Sequence, residues 1–569
     1  MNKTIYLYIL FTSLFISLIT NAQTNKLSNK PELEGNTKLA KDNFFIGNYK
    51  DAITEYTLLL KTDSLNSIYN LNLGISYLFT NIDKSKAIYY LEKAITDPNV
   101  DSKAWYELGR AYLVNYRLDD AIKTFEAYKK IPLTTKVDLL ISADRMIEMC
   151  EQAKINITKP INITFENMGS DINSPFPDYN PYVPADESFL VYTTRRKGTT
   201  GNFVDYDGYN TADVYISNQN YEKWSKTKSI GININTDLVE ETVGLSTDGK
   251  KLFVSVDNYI AMNVIILSEI KGKTFQKPTV LMDNIVSKNV EKSATITSDK
   301  KTIIFSSDKN SKNEGMNLYM SKLLPNGEWG PAEDIPALNT KYDEDFPYFA
   351  PDGKTLYFSS QGYNSMGGYD IFKTIWNETD NSWSEPENLG YPLNTTDNDY
   401  TISFSASGRR AYISAFREDG YGDLDIYKVI FNDVDPSYTI LSGTILNQDS
   451  VNIFNVKKLS ENDTSNLSET ILNIDSLNID TLNMSTEINN NKFEEKNVKI
   501  IVKNLTSQNI LGTYRPNKIT GNFLIALPPG ELEVTVIADG YSKYSENFSV
   551  VDKSNNSEIN KDIVLLNKN

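Results

Sequence analysis

PYFAPDGKTLYFSS, residues 347–360, decides the architecture. Alternating apolar residues run into Asp352-Gly353, and a second apolar run follows, which is the local signature of a tight β-hairpin. The same pattern recurs as PYVPADESFLVYTT (181–194), VGLSTDGKKLFVSV (243–256), ATITSDKKTIIFSS (294–307) and ISFSASGRRAYISA (402–415). The turn positions Asp186, Asp248, Asp299, Asp352 and Ser407 lie 62, 51, 53 and 55 residues apart. A third strand follows each hairpin, marked by Asp213-Val214-Tyr215, Asn263-Val264-Ile265, Asn317-Leu318-Tyr319, Asp370-Ile371-Phe372 and Asp425-Ile426-Tyr427. A fourth follows Trp224, Phe275, Trp329 and Trp383.

Four strands at this period predict the blades of a β-propeller over residues 161–432. Five units predict five blades, with six as the alternative if one blade lacks the motif. The stretch ITFENMGSDIN (163–173) resembles PENLGYPLN (386–394), which ends the fourth unit, whereas the fifth unit stops near Val429. The early segment is therefore expected to supply the missing last strand of the fifth blade, leaving no exposed edge. The motif resembles the WD40-like repeats of TolB-type propellers. The second unit departs most, with Asn263 in place of Asp.

Upstream, Ala52, Ala87 and Ala121 are spaced 35 and 34 apart. Around them Leu73-Gly74, Leu108-Gly109, Tyr77, Tyr112, Phe125 and Tyr128 recur, and Pro98 and Pro132 end two of the units. This resembles the tetratricopeptide family and implies an α-solenoid of three helix pairs plus a capping helix over 33–154. Such a stack presents a concave groove to partner proteins. Cys150, the sole cysteine, is expected to be a buried structural thiol on the cap.

Downstream, YTILSGTIL opens a region, 438–569, of alternating apolar strands with Gly/Pro turns, interrupted by an Asn/Ser/Asp/Thr-rich insert over 447–494 that is expected to be disordered. Gly443, Thr520-Gly521 with Phe523, Leu527-Pro528-Pro529-Gly530 and Asp539-Gly540-Tyr541 resemble the carboxypeptidase regulatory-like domain. The resemblance implies a transthyretin-like β-sandwich and no peptidase activity.

The chain contains no histidine, which excludes Ser-His-Asp triads, Cys-His pairs and HExxH zinc sites. Its net charge of −17 disfavours nucleic acid as a partner, and no cofactor is expected. Carboxylate-only chemistry survives this filter, and two acidic sets bear on it. Asp213, Asp370 and Asp425 open third strands in register, as scaffold residues bonded to backbone would. Asp178, Glu240, Glu291, Asp343 and Asp397 precede the inner strands and are expected to gather at one mouth of the channel, as an acidic ring for a cation or a basic ligand or as a solvated rim. Acids that recur in register argue against a glycosidase pair, which needs two carboxyls facing each other across a substrate.

At the N-terminus Lys3, the 15-residue apolar run Ile5–Ile19 and Thr20-Asn21-Ala22 predict a secretory signal cleaved after Ala22, too short for a membrane span of about 20 residues. The order of the three regions is similar to that of periplasmic envelope proteins that end in an OmpA-type domain, among them a component of the type IX secretion and gliding machinery. The chain stops at Asn569 with no such domain expected, so peptidoglycan anchoring is not carried over. The resemblance implies a non-enzymatic periplasmic scaffold, possible at the outer membrane, that docks envelope proteins through its helical groove and a propeller face. The alternative is a glycan-binding or glycan-cleaving propeller.

Overall fold

The computed structural model describes residues 35–568, apart from 133–138, 140, 221–222, 258–263, 273, 282–289, 310–314, 407, 434–438, 455–496, 519, 529 and 551–557. The signal sequence and most of the predicted insert lie outside the described residues. Among those described, seven helices come first and antiparallel sheets follow. No helix among them is long and apolar enough to cross a membrane.

The helices are α1 (Thr37–Ile46), α2 (Tyr49–Thr62), α3 (Ser67–Leu78), α4 (Ser85–Ala94), α5 (Lys103–Val114), α6 (Leu118–Lys130) and α7 (Ala143–Ile157). Sequential helices pack as hairpins, with α7 laid against α6. Small residues set the spacing: a Cβ on Gly74 would lie 2.6 Å from Leu91 Cγ, and one on Gly109 2.6 Å from Phe125 Cε1. Ala52, Ala87 and Ala121, the periodic alanines, are fully buried. Each large side chain buried between them, such as Tyr56, Leu91 or Phe125, contributes about 1.5–3 kcal/mol. Cys150 is buried, and burial pushes its thiol up to about 12, far from a reactive thiolate.

Five antiparallel sheets follow. The first is built on Asp178–Tyr182, Phe189–Thr194 and Asp213–Asn220, the second on Val239–Leu245, Lys251–Asp257 and Val264–Lys271, and the third on Glu291–Ile296, Thr302–Ser307 and Asn317–Lys322. The fourth is built on Glu344–Phe349, Thr355–Ser360 and Asp370–Asn377, and the fifth on Ser403–Phe404, Arg410–Ala415 and Asp425–Phe431. Short outer strands complete the first four. The fifth is completed by Ile163–Asn167, which runs antiparallel to Asp425–Phe431 in the register Ile163↔Phe431 to Asn167↔Tyr427. The pairing expected from the ITFENMGSDIN match is therefore present.

Each sheet touches the next. Thr242 Oγ1 donates to Asn180 O at 2.7 Å, and the inner strands of the second and third sheets pack where Gly244 meets Ala294. Ser293 Oγ donates to Asp345 Oδ1 at 2.6 Å, and Phe404 N donates to Tyr348 Oη at 3.0 Å. Val183 N donates to Ser403 Oγ at 3.1 Å, linking the fifth sheet back to the first. The contacts form a closed cycle.

The last strands form two further sheets. Thr439–Asn447 pairs antiparallel with Asn522–Leu527 and parallel with Glu558–Asn560 and Ile563–Leu565. Val498–Asn504, Ile510–Tyr514, Gly530–Ala538 and Tyr544–Val550 make the other sheet, and Leu441, Ile525, Ile500 and Val534 share one core across the two. Gly443 sits where a Cβ would collide with the carbonyl of Lys561, which accounts for glycine at that motif position.

Candidate functional site

The acids that precede the inner strands are caged. Ser174 N and Oγ donate to Asp178 Oδ2 at 2.6 and 2.7 Å. Thr236 N donates to Glu240 at 3.1 Å, and its hydroxyl also donates. Thr340 N and Oγ1 donate to Glu344 at 2.9 and 2.7 Å. Thr395 N and Oγ1 donate to Asp399 Oδ2 at 2.6 and 3.0 Å. In each, a hydroxyl residue four positions earlier wraps its own backbone onto the carboxylate, pinning the entry loop to the inner strand. Glu291 is buried in the same register, with Ser307 Oγ at 3.5 Å, and its entry loop lies outside the described residues.

The equivalents in the fourth and fifth units are thus Glu344 and Asp399, not Asp343 and Asp397. The ring read from sequence mixes registers because the entry loops are acidic over several residues. Asp343 accepts from Met316 N at 3.0 Å and Tyr369 Oη at 2.9 Å. Asp397 is ion-paired with Lys84 of the helical region. No group of three or more acidic or Cys side chains among the described residues is arranged to hold a metal ion.

The third-strand acids are also tied to backbone. Asp213 accepts from Thr200 N and Oγ1, each at 2.9 Å. Asp370 accepts from Met366 N at 2.9 Å and Asn388 Nδ2 at 2.7 Å, and Asp425 from Tyr421 N at 2.7 Å and Asn167 Nδ2 at 3.0 Å. Burial raises all three, Asp370 to about 7, and it raises Glu344 to about 7 as well. Shifts of this size often mark catalytic acids. Here they accompany bonds that repeat from sheet to sheet.

A second repeated device escaped sequence reasoning. Asn173, Asn235, Asn339 and Asn394 each clamp the second residue of a third strand by both backbone groups. Asn394 Oδ1 accepts from Ile371 N at 2.8 Å while its Nδ2 donates to Ile371 O at 2.9 Å. Asn235 does the same to Val214, Asn339 to Leu318 and Asn173 to Ile426, all within 2.7–3.0 Å. Each clamp stands immediately before the Ser/Thr of a cage, so N-[ST]-x-x-x-[DE] is the signal that could have found both.

Beyond the caged acid the repeats stop repeating. The next residue is Tyr179, Glu241, Lys292, Asp345 or Tyr400 in the five units. In the first four sheets it is followed by a break in strand register, as at Asp345/Tyr348, and such bulges re-aim side chains. These side chains reach across sheet boundaries. Tyr179 Oη donates to Glu241 Oε1 at 2.5 Å, and Lys292 Nζ lies 2.8 Å from Asp345 Oδ2. The Lys292 ammonium also faces Phe346, Tyr369 and Tyr400 at 5.1, 5.9 and 5.8 Å. Burial alone would lower Lys292, but Asp345 outweighs it and holds the ammonium above its ordinary value.

The turns at one edge of the helical stack sit on this same face. Arg145 Nη2 donates to Gln361 O and Gly362 O, each at 2.8 Å, and to Ser365 Oγ at 2.9 Å, with its guanidinium 5.0 Å from the Tyr342 ring. Asn81 donates to Asp423 at 2.8 Å, Tyr116 packs edge-on to Tyr391 at 6.1 Å, and Met366 is buried in the helical core. The basic ligand of the acidic rim is, at Asp397, the chain's own Lys84.

No protein-family model matches the chain, and no curated protein matches it. Among solved structures it is similar to TolB from Acinetobacter baumannii, with 15% identity over 52% of this chain and 72% of that one and a TM-score of 0.30. A second TolB-type structure, from Agrobacterium tumefaciens, has 14% identity over 48% of this chain and 98% of that one, with a TM-score of 0.26. A glycoside hydrolase has 11% identity over 50% and 96%, with a TM-score of 0.34. Likenesses this distant assign no activity to the chain.

Proposed function

We propose that the chain is a non-enzymatic scaffold of the bacterial cell envelope. In this reading tetratricopeptide repeats (33–154) are docked on a five-bladed propeller (161–432), followed by a regulatory-like sandwich (438–569). The protein works in the periplasm and joins other envelope proteins, with the type IX secretion and gliding machinery as a candidate setting. One observation carries the reading. A buried acid stands at the start of the inner strand in all five sheets and the asparagine clamp recurs in four of them among the described residues, whereas Tyr179, Glu241, Lys292, Asp345 and Tyr400 differ from unit to unit. Tyr179, Glu241, Lys292 and Tyr400 are half-buried on a rigid frame, with the fully buried Asp345 holding Lys292 in place, and varied aromatic and charged groups of this kind suit recognition of one polypeptide partner. The caged acids do not suit catalysis, because they are buried and hold their own entry loops.

Cross-linking the full-length protein in envelope extracts tests this. Wild type is expected to capture a defined protein set that the K292A/Y400A variant loses. Turnover of envelope glycans by wild type, with no protein captured, would overturn the reading.

A further inference from the structure

In two sheets the aromatic residue of the fourth strand packs across a sheet boundary. In the second sheet Phe275 fills the crevice toward the first, edge-on to Phe189 at 5.9 Å and only 2% exposed. In the first sheet Trp224 reaches Tyr412 of the fifth at 5.9 Å. The turn glycine over the Phe189 crevice, Gly249, sits so close that a Cβ would lie 3.0 Å from that ring.

Between the third and fourth sheets the plug is missing. Phe189 opens the second strand of the first sheet, and its counterpart in the third sheet is Thr302. The counterpart of Phe275 is Trp383, and that of Gly249 is Gly353, which meets only Ser298. Replacing a ring by a threonine leaves a cavity of about 310 Å³ between the sheets. Its walls are Trp376 and Trp383, 5.0 Å apart and tilted 59°, with Phe349 behind Trp383 at 6.4 Å. Its rim carries both charges and an amide: Lys322, whose ammonium lies 5.9 Å from the Trp376 ring, Glu378 and Asn381. The turns around it, Thr297–Thr302, Gly353 and Glu378–Asn381, join first to second and third to fourth strands. The helices contact connections of the other kind, so the cavity opens on the far face.

We propose that this crevice is a saccharide-binding subsite, taking one sugar ring of an envelope or extracellular oligosaccharide. A pyranose has an apolar face of axial C–H groups and an edge of hydroxyls that donate and accept. The indole walls suit the first, and an ammonium, a carboxylate and an amide at the rim suit the second. A purely apolar peptide side chain would leave those rim groups unused, and an anion would meet Glu378. The volume is at the small end of ligand sites, enough for one ring. Through such a subsite the scaffold would hold a glycan on one face while proteins dock on the other.

Tryptophan fluorescence titration of the full-length protein with cellotetraose, xylotetraose, chitotetraose and maltotetraose tests the assignment. At least one is expected to quench saturably, with Kd of about 1 mM or tighter. Thr302→Phe keeps all five tryptophans and rebuilds the plug seen at Phe189; it should weaken that binding at least about tenfold. Lys322→Ala, at an exposed position, should weaken it about three- to tenfold with unchanged melting. No saturable quenching by any of the four sugars overturns the proposal, as does full affinity in Thr302→Phe. Quenching by the peptide Gly-Leu-Phe-Gly instead of the sugars overturns it in favour of a peptide pocket. Protein capture through Lys292 lies on the other face and is unaffected by Thr302→Phe, so the two readings fail separately.

Discussion

The helical region and the five sheets both repeat, but they repeat different things. Between helices the recurring unit is shape: alanines at 0% exposure, glycines under rings, and tyrosines and phenylalanines in the gaps. Between sheets the recurring unit is a set of polar bonds, the asparagine clamp and the caged acid. Shape complementarity is graded and almost indifferent to pH. A buried polar cage is satisfied or broken as a unit, and it carries protons.

Four changes would break or sharpen this contrast, from the largest expected effect to the smallest. Phe125→Ala should cost about 3–5 kcal/mol of helical stability, read by far-ultraviolet circular dichroism in urea. A loss below about 1 kcal/mol would mean that the stack is not held by interlocking rings. Asn394→Ala strands the amide of Ile371, whose carbonyl still accepts from Leu389 N at 3.1 Å, at roughly 1–3 kcal/mol for the one buried group left without a partner. Asn235→Ala and Asn339→Ala should cost about the same, and unequal losses would show that the clamp is not a common unit.

The third change is pH. Asp370 and Glu344 have folded values raised by burial to about 7, from 3.8 and 4.5. Between those limits the folded sheets bind more protons than the unfolded chain, so their stability falls as pH rises through the window. Tryptophan-detected melting reports mainly the sheets, through Trp224, Trp329, Trp376 and Trp383, and should shift upward from about pH 7.5 to about pH 5. The shifted groups of the helices titrate outside that window: Asp83, Asp97 and Asp119 are lowered by hydrogen bonds, and Cys150 is raised by burial. The helical melt should stay flat, and a parallel upward shift would refute the distinction. The smallest effect is that of Lys84→Ala, which removes a partly exposed pair with Asp397 and should cost about 1 kcal/mol. Its signature is easier proteolysis between the two regions, with each still folded.

The parts of the fold that rest on local pattern were legible in the sequence. Asp-Gly turns, 34-residue spacing and the ITFENMGSDIN match led to the hairpins, the helix pairs and the closing strand. The match was legible because Asn167 and Asn388 make equivalent bonds. Each donates to the first acid of a third strand and accepts from a glycine two residues on. The clamp in GININT and PALNT was missed because the shared signal is short, an Asn-Thr after an apolar residue with an acid four positions beyond the Thr, and the residues between them differ. The acidic ring slipped register at Asp343 and Asp397 because carboxylates crowd both loops, and only the threonine four residues earlier tells which one is caged. Arg145 and Lys84 could not be assigned at all. They are ordinary helix charges, and their partners lie 216 to 313 positions away.

The closing strand sets the order in which the chain can be made. Ile163–Asn167 emerges some 262 residues before Asp425–Phe431, counting from 163 to 425, and pairs with nothing else among the described residues until then. Helix α7 ends at Ile157, so the helical stack is tethered six positions from a strand that waits. A chain interrupted anywhere before Phe431 would display that bare edge, and four sheets without their fifth cannot close the cycle. Completion of the sheet region is therefore a late, long-range event, exposed to edge-on mispairing while it is pending. A separately supplied peptide spanning 161–173, added to a chain begun at Phe176, would compete for the vacant edge and report when it becomes available.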